Sequence, residues 1–215
     1  MAFPRELAAP VRLHNPEVPM STPTPHATAE RPHPAAVLRR RWPTALAAAV
    51  VALNLIGSGS QDVADAVGGF GETLPLLPLI YLIVHQIGSP RATWPVLGAG
   101  LVAVFALPLQ GAVAPSTVLV ALALAVLVWG AVRGTPHGRA VFGVQAVGAL
   151  VFCGLAPAGL AVDPDLGRYL VAAGWFCHGV WDFVHLWLDR VVARTFAEWC
   201  GVVDVLVAVQ LLFLV

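Results

Sequence analysis

Between Trp175 and His185 the chain reads W-x-x-H-G-x-W-D-x-x-H within a long apolar run. At 100° per residue, Trp175, His178, Asp182, His185 and Asp189 fall within roughly an 80° arc of one helical face. Histidine and aspartate at i, i+4 or i, i+3 can form an ion pair, share a proton or chelate a divalent cation. An ionised carboxylate at bilayer depth costs a few kcal/mol on insertion scales, so Asp182 demands a partner or a purpose. A second acid, Asp204, follows in C-x-x-x-D from Cys200, in the next apolar run. Asp182 stands eight residues before Arg190 and Asp204 seven after Ala197, which puts both about 10–12 Å from the same end of two adjoining helices. Two carboxylates meeting at one depth cannot both stay ionised without a compensating charge.

Four chemistries fit this set. The reading preferred from sequence is a proton- or small-ligand-binding site made by His178, Asp182, His185 and Asp204. It lies in the half of the bundle nearer the arginines and opens toward them, with His85 and Gln145 at similar depth. An intramembrane enzyme is the alternative: Asp182 as acid or base on a lipid-soluble substrate beside Trp175, Trp181 and Phe183, or a metal-dependent hydrolase. A divalent ion would need one histidine with Asp182 and Asp204, because His178 and His185 stand about 10 Å apart along a helix axis. The blandest reading is a His–Asp–His lock between two helices. No metal, cofactor or catalytic residue is assigned. Asn54, Gln61, Asp62, Asp65 and Glu72 read as solvated loop residues and helix caps.

The elements that carry these residues are membrane helices. Of 215 residues, 58% are apolar and 11% charged, a balance foreign to water-soluble domains. The predicted class is all-α: a polytopic bundle of seven transmembrane helices embedded in a lipid bilayer. Net charge is zero and the one basic run is Arg39 to Arg41, so a nucleic-acid partner is not expected. Cys153, Cys177 and Cys200 show neither zinc-knuckle nor disulfide spacing.

Residues 1–38 hold eight prolines without apolar periodicity and read as a disordered, Pro-rich cytoplasmic tail rather than a signal peptide. Met20 is an alternative start. Residues 39–215 form the transmembrane domain, with apolar runs at 42–57, 72–88, 94–110, 115–132, 139–158, 167–188 and 198–215. Arg39 to Arg41, Arg91, Arg133, Arg139, Arg190 and Arg194 then fall on one side. Asp62, Asp65, Asp163 and Asp165 fall on the other, with Arg168. By the positive-inside rule the N-terminus is cytoplasmic and the C-terminus external. Ala121 with Ala125, and Gly143 with Val147 and Gly148, read as close-packing seams. Pro75, Pro78, Pro108 and Pro157 read as helix ends or kinks.

The W-x-x-H-G-x-W-D-x-x-H run, Arg190 and the Cys200–Asp204 pair resemble a family of small bacterial multi-span proteins of unassigned activity. The resemblance covers about the last 40 residues and implies a paired terminal-helix motif; the expected location of the bundle is the cell inner membrane. Seven spans with intramembrane His and Asp also resemble the ceramidase and progestin-receptor-like membrane hydrolases. Those carry an H-x-x-x-H pair in the last span, where this chain has no histidine, so their zinc site is not carried over.

Overall fold

A computed structural model describes residues 41–58, 62–111 and 113–215. The predicted tail and Gln61 lie outside the described residues. Among the described residues eight α-helices follow one another: α1 Trp42–Ser58, α2 Val63–Thr73, α3 Leu76–Ile87, α4 Thr93–Gln110, α5 Pro115–Arg133, α6 Arg139–Ala161, α7 Pro164–Leu188 and α8 Arg194–Phe213. A 3₁₀ turn at Pro90–Ala92 leads into α4, and no strand occurs among the described residues. Counting α2 and α3 as one broken segment, Val63–Ile87, five segments are long and apolar enough to cross a membrane; α1 is shorter, and α7 is not among them. Large apolar side chains such as Val102, Phe105, Leu109, Val132 and Trp187 stand exposed around the bundle. That surface would be a liability in water and suits lipid contact, consistent with a multi-pass membrane protein.

The second segment starts earlier than its hydropathy suggests. The sequence places 58–71 mostly in a loop, yet helix begins at Val63, because Asp62 caps it by accepting a hydrogen bond from the Asp65 backbone N–H at 2.8 Å. The segment is then interrupted at Leu74–Pro75. Pro75 and Pro78 have no N–H to give, and the turn tightens so that Leu77 N–H donates to the Leu74 carbonyl at 3.2 Å. The Trp175 indole N–H fastens the break by donating to the Phe70 carbonyl at 3.1 Å. Pro108, by contrast, sits one turn from the end of α4, and α6 continues four residues past Pro157.

The most extensive helix–helix contact joins α7 to α8; α6 and α2 flank α7, and α1 lies chiefly against α8. α3 runs through the interior, almost wholly buried, and touches α4, α5 and α6. The connection from α7 to α8 is short and tied down. Val191 adopts φ 71°, a rare conformation for a β-branched residue, while Val191 and Val192 insert into the core. The Ala193 N–H donates to the Thr93 hydroxyl at 3.0 Å, and the Arg194 guanidinium donates to the Leu186 carbonyl at 3.0 Å. These contacts fix how far α8 slides along α7.

The expected small-residue seams are partly displaced. Ala121 and Ala125 point outward, and α5 makes its close approaches through Ala123 and Gly130 instead. Gly143 meets open space, whereas Gly148 makes room for the Trp181 ring. The tightest backbone approach lies between α6 and α7: a Cβ on Gly167 would stand 2.5 Å from the Gly159 carbonyl oxygen. Backbone cannot swing aside as a side chain can. Gly167→Ala should therefore cost about 1–3 kcal/mol, read as a lower midpoint of thermal unfolding in detergent micelles. Gly143→Ala, with nothing within 4 Å of the new methyl, should leave that midpoint unchanged or raise it.

Candidate functional site

The two acids identified in the sequence meet. The His178 Nδ1–H donates to Asp204 Oδ2 at 2.8 Å and lies 3.3 Å from Asp182 Oδ2, with all three side chains inaccessible to solvent. Their meeting depends on two glycines. A Cβ on Gly179 would stand 3.1 Å from the Asp204 Cβ, and one on Gly201 would stand 3.2 Å from the Asp182 Cβ. Each aspartate thus occupies space that a glycine on the facing helix leaves empty. On the same helix, Ala197, Cys200, Gly201, Asp204 and Ala208 are all buried.

A third helix completes the centre. The Tyr81 hydroxyl, from α3, donates to Asp182 Oδ1 at 2.5 Å, the short distance of a charge-assisted O–H···O bond. The Cys200 thiol lies 3.8 Å from Asp204 Oδ1, one turn away on α8. His178, Asp182, Cys200 and Asp204 can bring one ligand atom each to within 4.8 Å of one another, a donor set of one imidazole, two carboxylates and a thiol. Sequence reasoning left both Tyr81 and Cys200 out of the site. The signal for Tyr81 is faint: it is the one hydroxyl in the apolar run LLPLIYLIVHQI, one turn from His85.

His185 stands apart from the carboxylates. The expected i, i+3 pairing with Asp182 does not form, because His185 is engaged elsewhere. Its Nδ1–H donates to the Trp181 carbonyl at 2.9 Å, leaving Nε2 to accept from the Gln145 side-chain amide at 2.9 Å. That pattern defines a neutral imidazole with the proton on Nδ1. The Tyr81 ring fills the space between the two histidines, 4.8 Å from His185 and 5.7 Å from His178, centroid to centroid. Phe152 packs edge-on against His178 at 5.0 Å, and the Trp181 ring lies over His185 at 4.9 Å. His85 is buried near the arginine-bearing end of α3, its ring 5.0 Å from that of His137.

The openings also divide. His185 and Gln145 border a cavity of about 400 Å³ between α6 and α7, which Arg190 also lines. Asp204 and Cys200 border a different one, about 450 Å³, that extends toward Asn54, Asp65 and Gln210, away from the arginines. The expectation of one pocket joining both carboxylates and both histidines and opening at the arginine end is therefore corrected. The aromatic rings of Tyr81, Phe152 and Trp181 occupy that direction, and the cavity beside Asp204 lies on the other. Asp62 caps a helix as expected. Glu72 receives the Ser116 backbone N–H at 2.7 Å and so caps α5, while Asn54 accepts from the Gln210 side-chain amide at 3.2 Å.

No family model matches the chain, and neither a curated protein nor a solved structure resembles it significantly.

Tyr81→Phe tests the third partner. Removing the hydroxyl leaves Asp182 Oδ1 buried without its donor, and the expected cost is about 1.5–3 kcal/mol. Chemical unfolding in mixed micelles should show it, with Tyr169→Phe, at an exposed position, unchanged.

Proposed function

We propose that the chain is a seven-span inner-membrane protein and that its buried centre at His178, Asp182 and Asp204 binds a proton or a small ligand. His185 holds a separate, neutral site one ring away. Charge balance supports this reading. Two carboxylates without solvent contact share one imidazole nitrogen, and among the described residues no arginine pairs with either of them. Even a cationic His178 leaves the centre one positive charge short. In a low-dielectric interior that deficit costs several kcal/mol unless something fills it. A proton shared within the carboxylate pair fills it in the ligand-free protein, with the Tyr81 hydroxyl and the His178 Nδ1–H holding the oxygens in place.

Infrared spectroscopy of the reconstituted protein reads this directly. A carbonyl band from a protonated, buried carboxyl group should be present at neutral pH. Asp182→Asn and Asp204→Asn should each abolish it, and Glu72→Gln should leave it intact. If no such band exists and the two substitutions only lower thermal stability, the His–Asp set is a structural lock and the reading fails.

Placement in the membrane follows the arginines. The ends carrying Arg41, Arg91, Arg133, Arg139, Arg190 and Arg194 face the cytoplasm. The resemblance of the terminal motif to small bacterial multi-span proteins supports the inner membrane as the location. A phosphatase reporter that is active only outside the cytoplasm should be active when fused after Val215 and silent when fused at Pro136. The opposite pattern inverts the topology.

A further inference from the structure

The cavity that ends at Asp204 has a chemical character of its own. It lies between α1, α2, α4 and α8, with Trp175 of α7 on one wall. Its floor is Cys200 and Asp204, its far end Asn54, Asp65 and Gln210. Asp204 and Gln210 are six residues apart on α8, about 9 Å along the axis. The walls between are apolar and aromatic, Phe70, Phe105, Trp175 and Trp199 among them. A volume of about 450 Å³ falls within the range of small-molecule sites.

Three features choose the occupant. The first is the sign of charge: Asp65 and Asp204 line the cavity, and among the described residues no arginine or histidine does. The second is the acid beneath the floor: Asp204 is fully buried, its Oδ2 paired with His178 and its Oδ1 with the weakly donating Cys200 thiol at 3.8 Å, a contact that a stronger donor arriving from the cavity can replace. The third is the side on which the cavity opens. α1 and α4 touch through Trp42 and Trp94, whose rings are 5.9 Å apart, and the cavity lies between these helices beyond that contact. Val50 and Phe105 flank it there, both exposed on the apolar surface of the bundle.

We propose that this cavity binds a lipophilic ammonium, a single-chain primary amine. It enters from the acyl-chain side between α1 and α4, sets its nitrogen against Asp204 and lays its chain along Val203 and Val207. The ammonium supplies the positive charge that the centre lacks and takes the place of the shared proton. Aromatic faces beside the nitrogen's path add cation–π attraction. The assignment rests on the charge-deficient centre proposed above and names the class of ligand that centre accepts.

The test uses the purified full-length chain with radiolabelled decylamine, and unlabelled decylamine, decanol and decanoate as competitors. Saturable binding displaced by decylamine but not by decanol or decanoate is expected, with affinity at least about tenfold weaker in Asp204→Asn, the loss of one charge-assisted contact. Gly69→Leu gives an independent variant. Gly69 lines the cavity and a Cβ there meets nothing within 4 Å, so a leucine narrows the space while leaving His178, Asp182 and Asp204 themselves unchanged. It should abolish decylamine binding while keeping the infrared band of the protonated carboxyl, and in the wild type decylamine should diminish that band. Displacement by decanol as strong as by decylamine, or unchanged binding in both variants, overturns the proposal. If the carboxyl band is present but decylamine does not bind, the ligand class fails and the proton-binding centre stands; if the band is absent from the wild type, the centre itself fails.

Discussion

Two acids can share one imidazole in the middle of this bundle only because the helices that carry them come within van der Waals reach of each other's backbone. Gly179 faces Asp204 and Gly201 faces Asp182, so each glycine leaves the volume that the opposite carboxylate fills. A methyl group at either position would push against a neighbour already at about 3 Å. The buried Val191–Val192 link and the Arg194 and Thr93 hydrogen bonds set the axial register of the pair, and the glycines set its separation. His178, Asp182, Cys200 and Asp204 are gathered at that crossing.

α3 decides which way the centre communicates. It presents Tyr81 to Asp182 and, through the same ring, separates His178 from His185. Phe152 and Trp181 complete an aromatic partition, so that His185 and Gln145 look toward the arginine-bearing end while Asp204 looks toward the other. One polar stripe on α7 thus serves two compartments. A stripe on a helix fixes which residues share a face, but it does not say that a ring from another helix will divide them.

That distinction accounts for what could be read from the chain alone. Helix content and the meeting of Asp182 with Asp204 were legible, because apolar run length and the 1.5 Å rise translate directly into span and depth. Tyr81 was not, since a tyrosine in a uniformly apolar run carries no mark of a partner 101 residues away. The start of α2 was hidden by its glycines and acids, which read as loop until the Asp62 cap is seen. The packing face of α5 was also illegible: it is apolar all round, and periodicity cannot choose between Ala121 and Ala123 when neither side is polar. His185 was assigned to Asp182 on spacing, whereas a backbone carbonyl and Gln145 satisfy it better.

The charged content of α7 has a consequence for how the protein is made. α7 is long enough to cross a membrane but, unlike five other segments, not apolar enough, and it carries Asp165, Arg168 and Asp182 within one helix. Its principal acid finds a counterpart on α8, which leaves the ribosome immediately afterwards. In a seven-span arrangement, burial of α7 in lipid is favoured when α8 is beside it, because the glycine crossing brings His178 and Asp182 against Asp204. α7 and α8 thus depend on each other to bury their polar groups, and a truncation that removes α8 leaves Asp182 and His178 without their counterpart acid.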